Sequence, residues 1–390
     1  MTIRNKYLIL AVVYANFIVL GMADGAFGVA WPSVREGMGL PLEQAGIVMI
    51  VQAFFYALTS SRLGRLSKYI SLEKLDFIGT AAMALGFLGI SFAPNFTVFV
   101  IMIVPVGIGT GMVDSSLNSF MVKSFSSRYL NWLHCFWGLG ATISPILMTQ
   151  MILAVNWRAG YASIAAAQGT VAFVVLLIIL KGGWKKVEKN QEDTLQASVE
   201  RQYLTKKRHI FIAVASFFLY GGIEHSIGFW ISSILLESRG MVLEVVGMYP
   251  AVYFAAITGG RMAFGFLANK FSDAVIIRFG FSLAFAGIVV VFVTGSIVGM
   301  ALIGLGFAPI FPCLIHCTQG RFGPKILTRL VGYQVAAAGA GVAILSPLIG
   351  QVLARVSLEA LFPIAMAVVV VGFFMNEILE RNVRKVNRYS

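Results

Sequence analysis

The sequence predicts an all-α membrane protein with twelve transmembrane helices, arranged as two pseudo-symmetric bundles of six. The composition is the first reason: 58% of the 390 residues are hydrophobic and 12% are charged, whereas soluble domains carry about 25% charged residues. The second reason is that apolar runs of about 20 residues, the length needed to cross a bilayer, recur along the chain. The third is one long polar stretch, which leaves six apolar runs on either side.

The apolar segments and the polar stretch give the domain organisation. The approximate cores of the segments are residues 7–30, 44–63, 75–93, 97–121, 132–154, 160–180, 210–235, 246–266, 274–294, 297–319, 328–353 and 358–378. We predict an N-terminal six-helix bundle over 1–180, a cytoplasmic linker over 181–208 and a C-terminal six-helix bundle over 209–390. The linker is either an amphipathic helix on the inner leaflet, where basic side chains meet anionic lipid, or a flexible tether.

The distribution of basic residues predicts the orientation in the membrane. If the N-terminus is cytoplasmic, 26 of the 30 lysines and arginines fall on the cytoplasmic side, and Arg35, Arg158, Arg239 and Arg355 fall outside. Because basic residues are enriched in cytoplasmic connections, we predict a multi-pass protein of the cell (inner) membrane with both termini in the cytoplasm. The same distribution accounts for the net charge of +13 without a nucleic-acid partner.

Short stretches of the two halves resemble one another. "LGATISPIL" (139–147) in the fifth segment matches "GVAILSPLI" (341–349) in the eleventh, and "GIGTGMV" (107–113) in the fourth matches "GLGFAPI" (304–310) in the tenth. Parallel repeats of this kind are typical of transporters built from two related halves.

Three acidic residues lie inside apolar segments and away from their ends: Asp24 in the first, Asp114 in the fourth and Glu224 in the seventh. These segments open successive groups of three, and in a bundle of such triplets the first helices are expected to line the central cavity. We place no acidic residue deep in segments two, three, five, six, eight or nine. Ionisable residues inside a membrane are costly and functional by default, and a structural hydrogen bond between helices is the alternative.

Asp24 and Asp114 are the candidates for proton coupling, because desolvation disfavours the charged form of a carboxyl group. Sodium, which would need several oxygen ligands around the same carboxylate, is the alternative coupling ion. Helical spacing also places a polar side chain beside two of the acids. Asn118 follows Asp114 by four residues and Tyr220 precedes Glu224 by four, so each pair shares a helix face.

The residues predicted to contact substrate combine carboxylates, amides and aromatic rings. They are Asp114, Asn118, His134, Trp137, Tyr220, Glu224, Trp230, Tyr253 and Gln334. Aromatic rings can stack on the C–H faces of a sugar while the polar groups bind its hydroxyls, so this set favours a sugar or polyol.

Enzyme signatures are missing from the sequence. We find no P-loop, nucleophile elbow or convincing metal-ligand motif, and therefore predict no enzymatic activity, no metal and no cofactor beyond a coupling ion, with H⁺ favoured over Na⁺. Cys135, Cys313 and Cys317 lie inside apolar segments, so we expect free thiols and no disulfide.

Four stretches carry a resemblance to a known family. They are "GMADGAFGVAWPSVRE" (21–36), "GTGMVDSSLNSF" (109–120), "NWLHCFWGLGATISP" (131–145) and "LYGGIEHSIGFWI" (219–231). Together they resemble the major facilitator superfamily, and within it the branch of fucose permease and sodium-dependent glucose transporters. The resemblance implies two six-helix bundles, alternating access and sugar uptake. It also implies that Asp24 and Asp114 take part in proton coupling and sugar binding, although Asp114 stands where the permease pattern has Glu.

The sequence is therefore interpreted as a secondary active transporter, a proton-coupled symporter of a sugar or similar polyol across the cytoplasmic membrane. The alternatives are an exporter of sugars or drugs by proton antiport, a sodium-coupled sugar symporter, and a transporter-like sensor that binds without translocating. The expected partners are a small-molecule substrate, a coupling cation and the lipid bilayer, and we expect a monomer.

Overall fold

A computed structural model describes residues 3–125, 127–182, 203–267 and 270–386 of the chain, and none of these residues forms a β-strand. The long helices are α1 (Ile3–Met38), α2 (Ala45–Leu66), α3 (Leu72–Ser91), α4 (Phe96–Ser124), α5 (Ser127–Ala154), α6 (Trp157–Leu180), α7 (Lys207–Ser233), α8 (Met248–Leu267), α9 (Asp273–Thr294), α10 (Ile297–Phe322), α11 (Pro324–Arg355) and α12 (Leu361–Val386). A π-helical turn, Ile234–Ser238, continues α7, and a one-turn helix, Leu243–Val246, precedes α8.

The predicted fold class is confirmed: the chain is an all-helical, multi-pass membrane protein. Eleven helices of the described residues are long and apolar enough to cross a membrane. The one remaining predicted segment, the eighth (246–266), corresponds to α8, whose 20 residues match the length that spanning requires. Most helices extend beyond their apolar cores; α1, for example, has 36 residues.

The chain forms two compact units. Unit 1 comprises Met1–Gln191 and Leu235–Phe254, and unit 2 comprises Glu192–Ile234 and Ala255–Ser390. The segment Leu235–Phe254, which the sequence analysis assigned to the C-terminal bundle, therefore groups with unit 1. The predicted linker lies largely outside the described residues.

Glycines allow close helix packing at one equivalent place in each unit. A Cβ atom at Gly140 of α5 would overlap the carbonyl oxygen of Ile18 of α1, and one at Gly341 of α11 would overlap the carbonyl oxygen of Phe218 of α7. Small residues allow such backbone approach between membrane helices. The two helices that carry the repeated stretches thus pack against their partners in the same manner.

Helix α10 is broken near its middle. It consists of Ile297–Phe307 and Ile310–Phe322, and Pro309 and Pro312 each lack the N–H group that would continue the helical hydrogen bonds. At the break, the hydroxyl of Tyr220 of α7 donates a hydrogen bond to the carbonyl oxygen of Phe307 at 3.0 Å. The break therefore ties α10 to α7 inside unit 2.

The close packing at Gly140 can be tested by comparing its substitution with the same substitution at Gly169, which lies in open space. Gly140→Ala should lower the free energy of unfolding by about 1–3 kcal/mol, because the added methyl group forces α1 and α5 apart. Gly169→Ala is the control: nothing lies within 4 Å of a Cβ atom there, and alanine favours a helix by about 0.5–1 kcal/mol. Thermal unfolding in detergent measures both, and equal melting temperatures would contradict the packing.

Candidate functional site

Asp24 lies in the middle of α1 and is bonded to α5. Its carboxylate oxygen Oδ2 accepts a hydrogen bond from the indole Nε1 of Trp137 at 3.0 Å. Gly21, one turn earlier on α1, lies against the backbone of Trp137, so the close packing of α1 on α5 brings the indole to the carboxylate.

Asp114 of α4 is bonded to two neutral donors. The hydroxyl of Tyr56 of α2 donates to its Oδ2 at 2.7 Å, and the amide of Asn118 donates to its Oδ1 at 2.9 Å. The imidazole of His134 of α5 lies within electrostatic range of the carboxylate. The predicted pairing of Asp114 with Asn118 on one helix face is therefore present.

These residues form one polar cluster, which we call the unit 1 cluster: Asp24, Tyr56, Asp114, Asn118, His134 and Trp137. Asp24 and Asp114 are close enough to interact electrostatically. Each side chain of the cluster keeps part of its surface exposed, so a ligand can reach it. In the described residues neither acid forms an ion pair with lysine or arginine.

Glu224 of α7 belongs to a second cluster, in unit 2. Its Oε1 lies 3.3 Å from Nη2 of Arg261 of α8, and the Tyr220 side chain contacts both. Glu224 and Arg261 keep 21% and 30% of their side chains exposed, whereas Tyr220 is buried. We call Tyr220, Glu224 and Arg261 the unit 2 cluster.

Three residues predicted to contact substrate lie outside both clusters and are buried. Trp230 donates from Nε1 to the carbonyl oxygen of Ser346 at 3.2 Å. Gln334 accepts a hydrogen bond from the hydroxyl of Thr318 at 3.1 Å. Tyr253 has no exposed surface. A substrate contact by any of the three stays a prediction.

Sequence reasoning missed two residues of the clusters. Tyr56 was not considered, because a tyrosine in an apolar segment is common and its partner is distant in sequence. Arg261 was counted as a basic residue of a cytoplasmic connection, whereas it lies inside α8 and pairs with Glu224. The carboxylates could have indicated that such partners exist, because a charged group inside the membrane needs a partner.

One further acid, near a helix end as predicted, is buried. Asp76, one turn into α3, has no exposed surface. Its Oδ1 accepts a hydrogen bond from the amide of Asn16 of α1 at 2.8 Å, and the same amide contacts the hydroxyl of Thr80 at 3.0 Å. The side chain of Asn16 thus reaches across from α1 to this turn of α3, and Asp76 has neutral partners there.

Ionisable residues bonded inside membrane-spanning helices, and still reachable by a ligand, are typical of a membrane transporter. Comparison with known proteins agrees. The model of the Major Facilitator Superfamily matches residues 13–334, and the chain belongs to this family. It is therefore a transporter and not an enzyme.

Individual relatives are distant. The chain is 24% identical over 377 residues to the glucose/mannose transporter GlcP of Bacillus subtilis (strain 168), with 92% of each chain covered. It is 20% identical over 284 residues to the hexuronate transporter of the same organism, covering 68% of this chain and 65% of that protein. The fold matches the inward-facing, unoccupied crystal structure of a bacterial homologue of the human lysosomal transporter Spinster, with a TM-score of 0.78, 12% identity and 99% of each chain covered.

Two substitutions test whether α3 needs the charge of Asp76 or only the hydrogen bond that Asp76 accepts from Asn16. Asp76→Ala should lower the free energy of unfolding by about 1–3 kcal/mol, because the buried amide of Asn16 loses its acceptor. Asp76→Asn should be close to the wild type, because the new amide oxygen can accept the same hydrogen bond. Thermal unfolding in detergent measures both, and an equal loss in the two variants would mean that α3 requires the charge.

Proposed function

We propose that the protein is a secondary active transporter that takes up a sugar or similar polyol together with protons by alternating access. The observation that carries this proposal is the unit 1 cluster. Two carboxylates, Asp24 and Asp114, lie within electrostatic range of each other inside apolar helices and are bonded to neutral donors. Carboxylates in such positions serve as proton carriers in transporters.

The substrate class is supported by the chemistry around Asp114. The carboxylate, the amide of Asn118 and the hydroxyl of Tyr56 offer both donors and acceptors to hydroxyl groups, and the partly exposed indole of Trp137 offers an aromatic face. The names of the two relatives refer to sugars and sugar-derived acids, which favours the same class. We assign coupling chiefly to Asp24, and both coupling and binding to Asp114.

The division of roles predicts a specific defect for Asp24→Asn. The amide resembles a permanently protonated acid, so proton-driven accumulation of neutral sugars should be abolished, while counterflow, which needs no net proton movement, should be partly retained. Purified protein in proteoliposomes, with a panel of radiolabelled sugars and an imposed pH gradient, measures both. Asp76→Asn is the matched control and should still accumulate substrate.

Three outcomes decide this experiment. Accumulation by Asp24→Asn with a normal pH dependence would move coupling to Asp114 or Glu224. Accumulation driven by a sodium gradient alone would favour sodium coupling. If the wild type moves no sugar of the panel in either direction, the proposal fails.

We also propose that both termini lie in the cytoplasm, on the charge distribution described above. In a variant without the native cysteines, Val155→Cys, between α5 and α6, should react with a membrane-impermeant maleimide on intact cells. Ser71→Cys, between α2 and α3, should react only after the membrane is opened. Both positions are exposed, so the reverse pattern would contradict the orientation.

A further inference from the structure

Arg261 is a permanent positive charge inside a helix bundle. A guanidinium stays protonated in proteins, so this charge must be balanced whenever the site is closed to water. In the described structure Glu224 balances it across 3.3 Å, and both side chains are partly exposed. The pair is thus placed where a ligand can reach it.

The geometry of the pair differs from that of another arginine in the same unit. Arg278 of α9 holds Glu377 of α12 through two bonds, of 2.6 and 3.1 Å. The bond between Arg261 and Glu224 is longer than the 2.7–2.9 Å of a strong charge-assisted bond. Because this contact is long and both side chains keep part of their surface exposed, the Arg261–Glu224 pair is suited to exchange of one anion for another.

We propose that Arg261 binds a carboxylate group of the substrate, and that Glu224 is the internal anion that this carboxylate replaces. The substrate class is then a sugar acid, which deepens the proposed function and rests on it. A single carboxylate carries the one negative charge that Arg261 can balance, whereas a sugar phosphate carries about −1.5 to −2.

The exchange includes a proton, and its charges balance. In the empty site Arg261 is positive and Glu224 is negative. When substrate binds, Glu224 takes up one proton and becomes neutral, while the substrate carboxylate supplies the negative charge beside Arg261. The net charge is zero in both states, so each can be enclosed in the membrane without an unbalanced charge, and one proton accompanies each substrate anion.

The surroundings of Glu224 support this role. Arg261 from α8 and Tyr220 from its own helix act on the carboxyl group of Glu224, and α10 presents the carbonyl oxygen of Phe307 to Tyr220. His225, the next residue, points elsewhere and stacks on the ring of Phe229. When Glu224 is protonated, the hydroxyl of Tyr220 can still donate to the carbonyl oxygen of Phe307, so it keeps an acceptor.

The test compares three probes that share one ring: D-glucuronate, its neutral amide D-glucuronamide, and D-glucose. Binding to the purified full-length protein is measured by calorimetry and transport by counterflow in proteoliposomes. Wild type should bind glucuronate at least about 10-fold tighter than glucuronamide, as expected for a hydrogen bond to a charged group. Arg261→Gln should remove this difference, with glucuronamide binding retained.

Two further variants complete the test: one checks that the protein folds, and the other tests the role of Glu224. Arg261→Lys keeps the charge and should keep part of the preference for glucuronate, while its melting temperature reports on folding. Glu224→Gln should bind glucuronate without the pH dependence seen in the wild type, because no internal anion competes for Arg261.

Different results would contradict the binding of a carboxylate by Arg261 and the proposed proton-driven uptake. If wild type binds glucuronate and glucuronamide equally, or transports glucose and rejects glucuronate, Arg261 does not receive a substrate carboxylate, although proton-driven sugar uptake can still hold. If a pH gradient drives no probe, the proposed function itself fails. Loss of glucuronamide binding in Arg261→Gln and Arg261→Lys alike would assign Arg261 to structure.

Discussion

Polar groups inside the membrane-spanning helices need partners within the protein, since lipid offers none. Backbone groups meet this constraint by forming helices. Hydroxyl groups meet it locally, as when Thr110 and Ser216 bond to carbonyl oxygens four residues earlier. Carboxylates require groups from other helices, and this requirement determines which helices must be close together and which side chains meet.

The two units meet the constraint with different chemistry. In unit 1, Asp24 and Asp114 are bonded to an indole, a hydroxyl and an amide, which are neutral donors, and the imidazole of His134 lies within electrostatic range of Asp114. In unit 2, Glu224 faces Arg261, and the pair is neutral as it stands. The roles proposed above follow this difference: cations, protons among them, for the unit 1 cluster, and an anion together with a proton for the unit 2 cluster.

The sequence was sufficient to predict the helices, because each apolar segment is a local property of about 20 consecutive residues. It also indicated the acids, since Asp24, Asp114 and Glu224 interrupt apolar runs. The partners could not be predicted in the same way. Tyr56 and Asp114 are 58 residues apart, Arg261 and Glu224 are 37 apart, and Asn16 and Asp76 are 60 apart. Such pairs depend on how the helices pack against one another. The periodicity of apolar residues within one helix carries no information about that packing.

The contact between Asn16 and Asp76 has a consequence for biosynthesis. The chain emerges from the ribosome N-terminus first, so α1 already carries Asn16 when α3 enters the bilayer, and Asp76 meets its amide partner at once. The order is reversed for the acids of the clusters: Asp24 precedes Trp137 by 113 residues and Glu224 precedes Arg261 by 37. Helices α1 and α7 therefore enter the bilayer with these acids before the partner helices are made, and their own apolar residues must offset that cost until α5 and α8 arrive.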